Sequence, residues 1–475
     1  RVLAVTTAVL CAAAAAAAQQ APDRSKPPVS GPPPALKLPP IQKRALANGL
    51  PVWIVEMHEV PVASISVLVN AGAETDPAGK YGLANFTAAM LDEGAGARDA
   101  LALADAIEFL GASLTAGSTF DVAAIRLQTP VAKLDEALQI LADVVMRPTF
   151  AESELERVRK ERLTRLLQTR DDPAALASAA FARLVFGPRH RYGTPTLGNE
   201  ASNGEMTAAD LKSFYVSFYQ PQNAHVLVVG DVTADAIMPK LERTLGGWKN
   251  AGALPKTVVS AAPQHPARQI YLVDKPGAAQ SEIRVGGVGV PRNTADYFVL
   301  DVLNTVLGGS FTSRLNQNLR EQHGYAYGAG SRFDMRKAPG PFLASAAVQT
   351  DKTVESLREM FKELDGIRQP VPNDELTKAR NLETLGFPAG FETTSDMAGN
   401  LAELVIYGLP ESFFSEYVPK IQAVTARDVE RAARQYILSD KLAVVVVGDL
   451  SKIEKPIRDA NFGPVRVVKV DEVLK

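Results

Sequence analysis

The chain has 475 residues, with 51 Lys+Arg against 53 Asp+Glu and 46% hydrophobic against 22% charged residues. That length exceeds one ordinary hydrophobic core, so two or more domains are expected. The balanced charge, with no basic stripe, excludes nucleic acid and an anionic membrane surface as main partners.

In chain order, Arg1 precedes the apolar, alanine-rich run Val2–Ala18, which ends in small residues before Gln19 and Gln20. A basic start, a short apolar core and an A-x-A-like end predict a secretory signal peptide over residues 1–18. The competing reading is a retained anchor, but a spanning helix needs about 20 strongly apolar residues. Removal of the segment takes away Cys11, the one cysteine. The expectation is an exported, periplasmic protein with no disulfide framework and no stable membrane insertion. Residues 19–40 hold prolines 22, 27, 28, 32, 33, 34, 39 and 40 and read as an extended tether. Order is expected from about Leu46-Ala47-Asn48-Gly49-Leu50, with strands at Val52–Glu56 and Ala63–Asn70. A first domain over 41–245 is followed by a Pro/Ala/Gly-rich linker over 246–266. The strand Gln269–Asp274 then opens a second domain over 267–470.

The halves repeat each other. Thr207-Ala208-Ala209-Asp210 leads through a helix to the apolar strand Val226–Val229 and Gly230-Asp231. Thr425-Ala426-Arg427-Asp428 leads in the same way to Val444–Val447 and Gly448-Asp449, at a constant offset of 218. In each copy the Thr caps a helix whose early Asp suits the positive end of the dipole. Further forward, Ala116-Gly117-Ser118-Thr119-Phe120-Asp121 matches Ala329-Gly330-Ser331-Arg332-Phe333-Asp334. Two matched blocks in the same order predict duplication of an α+β domain of roughly 210 residues, not a short-period solenoid.

Several segments resemble the M16 (insulinase-like, mitochondrial-processing-peptidase-like) peptidases. They are Leu46-x-Asn48-Gly49-Leu50-x-Val52, Gly82-Leu83-Ala84, His190-Arg191-Tyr192-Gly193, Asp274-Lys275-Pro276-Gly277 with Gln280-Ser281, and Leu307-Gly308-Gly309-Ser310-Phe311-Thr312-Ser313-Arg314-Leu315. The resemblance spans about residues 41–460 and implies two homologous α/β domains, each a mainly antiparallel sheet packed with helices. It also implies an inverted zinc motif, H-x-x-E-H, directly after Gly-Leu-Ala: two histidines on one helical face hold the metal and the glutamate activates its water. Here Asn85 takes the first His position, Ala88 the Glu position and Ala89 the second His position. Counting onward along the family pattern, the distant ligand falls on Arg165. Methyl groups and a guanidinium do not coordinate zinc, and a lone amide is a poor ligand. The five histidines, 58, 190, 225, 265 and 323, include no pair four apart. No metal is therefore expected in this chain.

The half of an M16 site opposite the zinc is implied to supply an Arg and a Tyr seven residues apart, and Arg320 and Tyr327 match. A cation and a phenolic donor suit the oxyanion of a tetrahedral intermediate. By residue type alone they read as a solvated helix residue and a core strand residue. Weaker candidates for substrate contact are the Gly308-Gly309 loop, which also reads as a helix-end turn, and Ala116 and Gly117 in Leu114–Asp121. That segment is either an ordinary paired strand or an edge that adds an extended peptide. Asp92 and Glu93 read as a helix end turned to water, and His190 as structural. The expected role is that of a non-catalytic subunit, inactive alone. It would supply half of a cavity for unfolded peptides, with Arg320 and Tyr327, to a partner whose intact H-x-x-E-H holds zinc. The alternatives are a peptidase-derived structural or assembly protein, and a peptide-binding protein that clamps without cutting.

Overall fold

A computed structural model describes residues 31–32 and 36–475. The Val2–Ala18 segment and most of the proline-rich stretch lie outside the described residues. The strands of the first half are β1 (Gln42–Ala45), β2 (Pro51–Glu56), β3 (Val62–Val69), β4 (Ser113–Ser118), β5 (Ala123–Pro130) and β6 (Ala224–Gly230). They form a six-stranded sheet in the order β1-β2-β6-β3-β5-β4, in which only β2 and β6 run parallel. The second half supplies β7 (Gln269–Asp274), β8 (Gln280–Val288), β9 (Ala326–Phe333), β10 (Pro341–Gln349), β11 (Ala443–Gly448) and β12 (Val465–Val468). Their order is β12-β7-β11-β8-β10-β9, so the two sheets share one topology apart from the outermost strand, which the N-terminal end of the chain supplies in one and the C-terminal end in the other. Both are mixed sheets with mostly antiparallel pairing in an α+β arrangement, as expected from the repeats.

Order begins earlier than expected from Leu46. β1 pairs with β2, Lys43 lies 4.0 Å from the Trp53 ring centre, and Leu36, Leu38 and Ile41 pack on the core. The end of the tether is thus held down by apolar contacts that its prolines conceal. Asn48 explains its own motif: its side chain donates to Leu245 O (2.9 Å) and Trp248 O (3.0 Å) and accepts from Leu50 N–H. Trp248 is buried in the first core, so the start of the 246–266 stretch packs on the first half. The rest of the linker has no regular structure, and His190 Nε2 meets Ser260 O at 2.8 Å.

The helices that position the candidate site are α1 (Leu83–Ala89), α2 (Glu152–Asp171), α3 (Pro173–Phe186), α4 (Ala208–Phe218), α5 (Tyr297–Asn304), α6 (Asn373–Gly386), α7 (Thr394–Tyr407) and α8 (Ala426–Tyr436). Capping boxes close α4 (Thr207 with Asp210) and α8 (Thr425 with Asp428), which satisfies backbone N–H groups that a helix start leaves open. The halves then exchange a helix each. Leu176 and Phe181 of α3 share a core with Tyr271, Val445 and Val447 of the second sheet. Met397 and Leu401 of α7 share one with Val55, Leu68 and Leu227 of the first. Ser64 Oγ and Thr394 Oγ1 meet at 2.9 Å inside that second junction. Each sequence domain therefore buries one sheet face only with the help of the other, and the two are interlocked rather than merely linked.

The loops after the edge strands β4 and β9 also meet. Lys337 Nζ donates to Glu74 Oε1 (3.1 Å) and Asp121 O (2.8 Å), Tyr407 donates to Asp121 Oδ2 (3.0 Å), and the Arg336 guanidinium lies 3.9 Å from the Phe120 ring centre. Among the described residues, no helix is long and apolar enough to cross a membrane.

Candidate functional site

Gly82 sets the start of α1. Its φ of +102° is a left-handed conformation that favours glycine, and a Cβ there would lie 2.6 Å from Leu197 O. Asp76 caps the helix from a distance, accepting from Gly82 N–H and Ala84 N–H at 2.7 Å each. Arg191 holds Asp76 in turn at 2.8 Å. Burial pushes the Asp76 carboxyl up, against the opposing pull of Arg191 and the two N–H groups. The resemblance segments Gly82-Leu83-Ala84 and His190-Arg191-Tyr192-Gly193 are thus two sides of one clamp. His190 itself is structural: its Nδ1 accepts from Tyr192 N–H at 3.1 Å, and its ring stacks on Phe186.

Asn85 and Ala89 are half-buried on the open side of α1, while Ala88 is fully buried. Asn85 reaches strand β4 through Nδ2 to Ser118 O at 3.5 Å, the outer limit of a hydrogen bond. Arg165 is exposed on α2, and the side chain that reaches Asn85 is Arg162, one turn earlier. Arg162 Nη1 donates to Asn85 Oδ1 (2.8 Å), Nε to Asn203 Oδ1 (2.7 Å), and Nη2 to Leu197 O (3.0 Å) and Gly82 O (3.2 Å). Its guanidinium lies 4.5 Å from the Phe86 ring centre. Burial lowers its pKa to about 9, partly offset by Asp76, so it stays charged at neutral pH. An amide, two methyl groups and a guanidinium do not fit a zinc ion. Among the described residues, no three His, Cys, Asp or Glu side chains are grouped to hold a metal.

Asp92 and Glu93 are not a solvated helix end. Glu93 pairs with Arg157, and burial pushes Asp92 up to about 6, with its own and the Ala116 backbone N–H pulling back. Ala116 and Gly117 lie on β4, which among the described residues pairs only with β5 and is a sheet edge; the space where a Gly117 side chain would stand is open.

In the second half, Arg320 and Tyr327 come together. Arg320 lies in a π-helical stretch, Gln317–Gln322, and Tyr327 on the edge strand β9. The guanidinium sits 4.6 Å from the Phe311 ring centre and 5.0 Å from that of Tyr327. Arg320 Nε meets Glu321 Oε1 at 3.2 Å. Tyr327 is 86% exposed and Phe311 62%, so Tyr327 is no core residue. Phe311 was hidden in the sequence because nothing in its spacing distinguishes it from a packing residue. Gly308-Gly309 ends the preceding π-helical stretch, Thr305–Gly309. Gly308 is buried against β9, where a Cβ would lie 2.2 Å from Ser331 N; Gly309 is exposed. The pair therefore seats the Phe311 loop on the edge strand.

The helices α5 and α6 of the second half correspond to α1 and α2, and at this joint they carry acids. Tyr417 donates to Asp301 (2.6 Å) and Glu383 (3.2 Å), and Thr305 donates to Glu383. Burial, then the nearby Glu383 charge, pushes Asp301 up to about 7. An unfolded aspartate titrates near 3.9, so the folded state holds the extra proton between about pH 4 and 7. That stability is fully present below about pH 4 and is lost as pH rises through about 7. Asp301→Asn is expected to flatten the fall in Tm between about pH 4 and 7. A wild-type slope in that variant would remove Asp301 from this role.

Two sheets of one topology, interlocked by exchanged helices, with a degenerate H-x-x-E-H helix in one half and an Arg/Tyr pair in the other, define an insulinase-type peptidase architecture. The family model described as insulinase, peptidase family M16, matches residues 52–184, and the model described as peptidase M16 inactive domain matches residues 205–383. The chain belongs to the M16 peptidase family. It is 27% identical over 418 residues to an uncharacterized zinc protease of Mycobacterium tuberculosis, covering 87% of this chain and 94% of that one. It is 24% identical over 408 residues to the non-peptidase homolog YmxG of Helicobacter pylori, covering 85% and 93%. A crystal structure of a peptidase M16 inactive domain from Pseudomonas fluorescens superposes with a TM-score of 0.80 at 26% identity, covering 86% of this chain and 98% of that one.

Proposed function

We propose that this chain is the non-catalytic subunit of a heterodimeric M16-type zinc peptidase, exported to the periplasm. It supplies half of a cavity for unfolded peptides, and Arg320 and Tyr327, to a partner whose intact H-x-x-E-H holds the zinc. The observation that carries this reading is the Phe311–Arg320–Tyr327 cluster. A cation held between two aromatic rings at an exposed strand edge is poised for a ligand rather than used in packing. The edge strands β4 and β9 offer unpaired backbone groups for an extended peptide, and Gly117 leaves one face clear. The non-ligand residues at positions 85, 88 and 89 leave α1 without a water-activating group, in keeping with the relative named a non-peptidase homolog.

The test is co-expression in the native host with a zinc-bearing M16 chain, followed by isolation of the complex. One complex of both chains, peptide cleavage only when both are present, and a mature N-terminus shortly after Ala18 by mass are expected. A zinc-bearing chain that cleaves equally well alone would leave this protein as an assembly subunit or a peptide clamp.

A further inference from the structure

The Arg162 guanidinium is buried, the residue being 4% exposed, and every group it bonds is a neutral oxygen. Two of the four belong to α1 and its cap, at Asn85 and Gly82, and the cation rises from α2. It thus ties together the helix of the degenerate motif and the helix from which the family's distant ligand would come. We propose that Arg162 is a built-in cation that replaces the metal as the tie between these helices and bars a metal from the site.

Two physical reasons support the bar. A zinc ion on the Asn85/Ala89 face would meet a fixed like charge that has no acid of its own to hydrogen-bond, with Arg165 adding to the repulsion. A histidine placed at position 85 would also offer Arg162 the lone pair that zinc needs, since Nη1 already stands 2.8 Å from the acceptor there. Loss of the ligands alone thus does not describe the site. The pocket has been rebuilt around a permanent charge, and restoring the ligands leaves it closed.

The inference shares the degenerate site with the reading above but needs no partner, so metal content of the isolated chain decides it separately. One variant carries Asn85→His, Ala88→Glu, Ala89→His and Arg165→Glu, and a second adds Arg162→Gln. Both are dialysed against buffered zinc and analysed for metal beside the wild type. Fewer than about 0.1 zinc per chain is expected in the wild type and the four-position variant, and about one in the five-position variant. Stoichiometric zinc in the four-position variant, or none in the five-position one, would overturn the proposal. A single change keeps it testable should those variants misfold. Asn85→Asp puts a carboxylate on the guanidinium and should raise Tm by about 2 °C, and the rise should vanish beside Arg162→Gln. A fall in Tm for Asn85→Asp would equally count against it.

Discussion

Arg320→Ala and Tyr327→Phe, each assembled with a wild-type zinc-bearing partner, are expected to lower kcat for peptide cleavage by about 10²-fold or more, the scale of losing one oxyanion donor. Substrate binding should change less, because the interaction strengthens mainly as the tetrahedral intermediate forms. The two side chains are not independent: the Arg320 guanidinium lies against the Tyr327 ring and against Phe311. Tyr327→Phe keeps the ring that steadies the cation and removes only the donor, so a loss there is a loss of chemistry. Phe311→Ala does the reverse. It frees the cation to wander and should raise KM as well as lower kcat, which separates positioning from direct contact. Assembly of each variant is checked by size before rates are compared. Wild-type rates from assembled Arg320→Ala and Tyr327→Phe complexes would leave this chain a scaffold.

Arg162→Ala is expected to destabilise the isolated protein by about 2–4 kcal/mol, the scale of leaving two buried acceptors without a donor at the joint of α1 and α2. The change strips two oxygens of their only donor, Asn85 Oδ1 and Asn203 Oδ1, and takes one of two donors from Gly82 O and Leu197 O, which keep Phe86 N–H and Asn203 Nδ2. Each buried acceptor left bare costs about 1–3 kcal/mol, less where water enters the space. Arg162→Lys keeps a charge but not the fork that reaches several acceptors at once, so it should lose less than Arg162→Ala but well short of nothing. Urea unfolding of the three proteins, with hydrogen exchange at α1 as a local reporter, makes the comparison. A loss under about 1 kcal/mol for Arg162→Ala would show that the network is not what holds α1 to α2.

Much of the fold is legible in the chain because the duplication writes each element twice. The capped helices at Thr207 and Thr425, and the apolar strands after them, are local features: a hydroxyl three residues before a carboxylate, then four residues buried on both faces. The degeneracy at positions 85, 88 and 89 is equally local, since residue type alone decides what coordinates a metal. The pairing of Arg320 with Tyr327 is legible only through the family resemblance, because a helix-end cation and a strand phenol carry no signal of their own.

The sequence by itself determined the repeat, the family and the absence of zinc-ligating side chains on α1, since each depends on residue type at fixed spacing along the chain. Only the tertiary structure decided which distant groups meet. α3 and α7 cross to the opposite half because each sheet has a second apolar face that its own helices do not cover. Arg191, 115 residues from Asp76, braces the carboxylate that caps α1, because a buried carboxylate needs a cation that no neighbour in sequence supplies. Arg162 rather than Arg165 reaches Asn85, because three residues shift the side chain by about 4.5 Å along the helix and about 60° around it, and the count along the chain does not fix where the helix touches. Phe311 joins Arg320 and Tyr327 because Gly308 lets its loop approach β9 more closely than any side chain would permit.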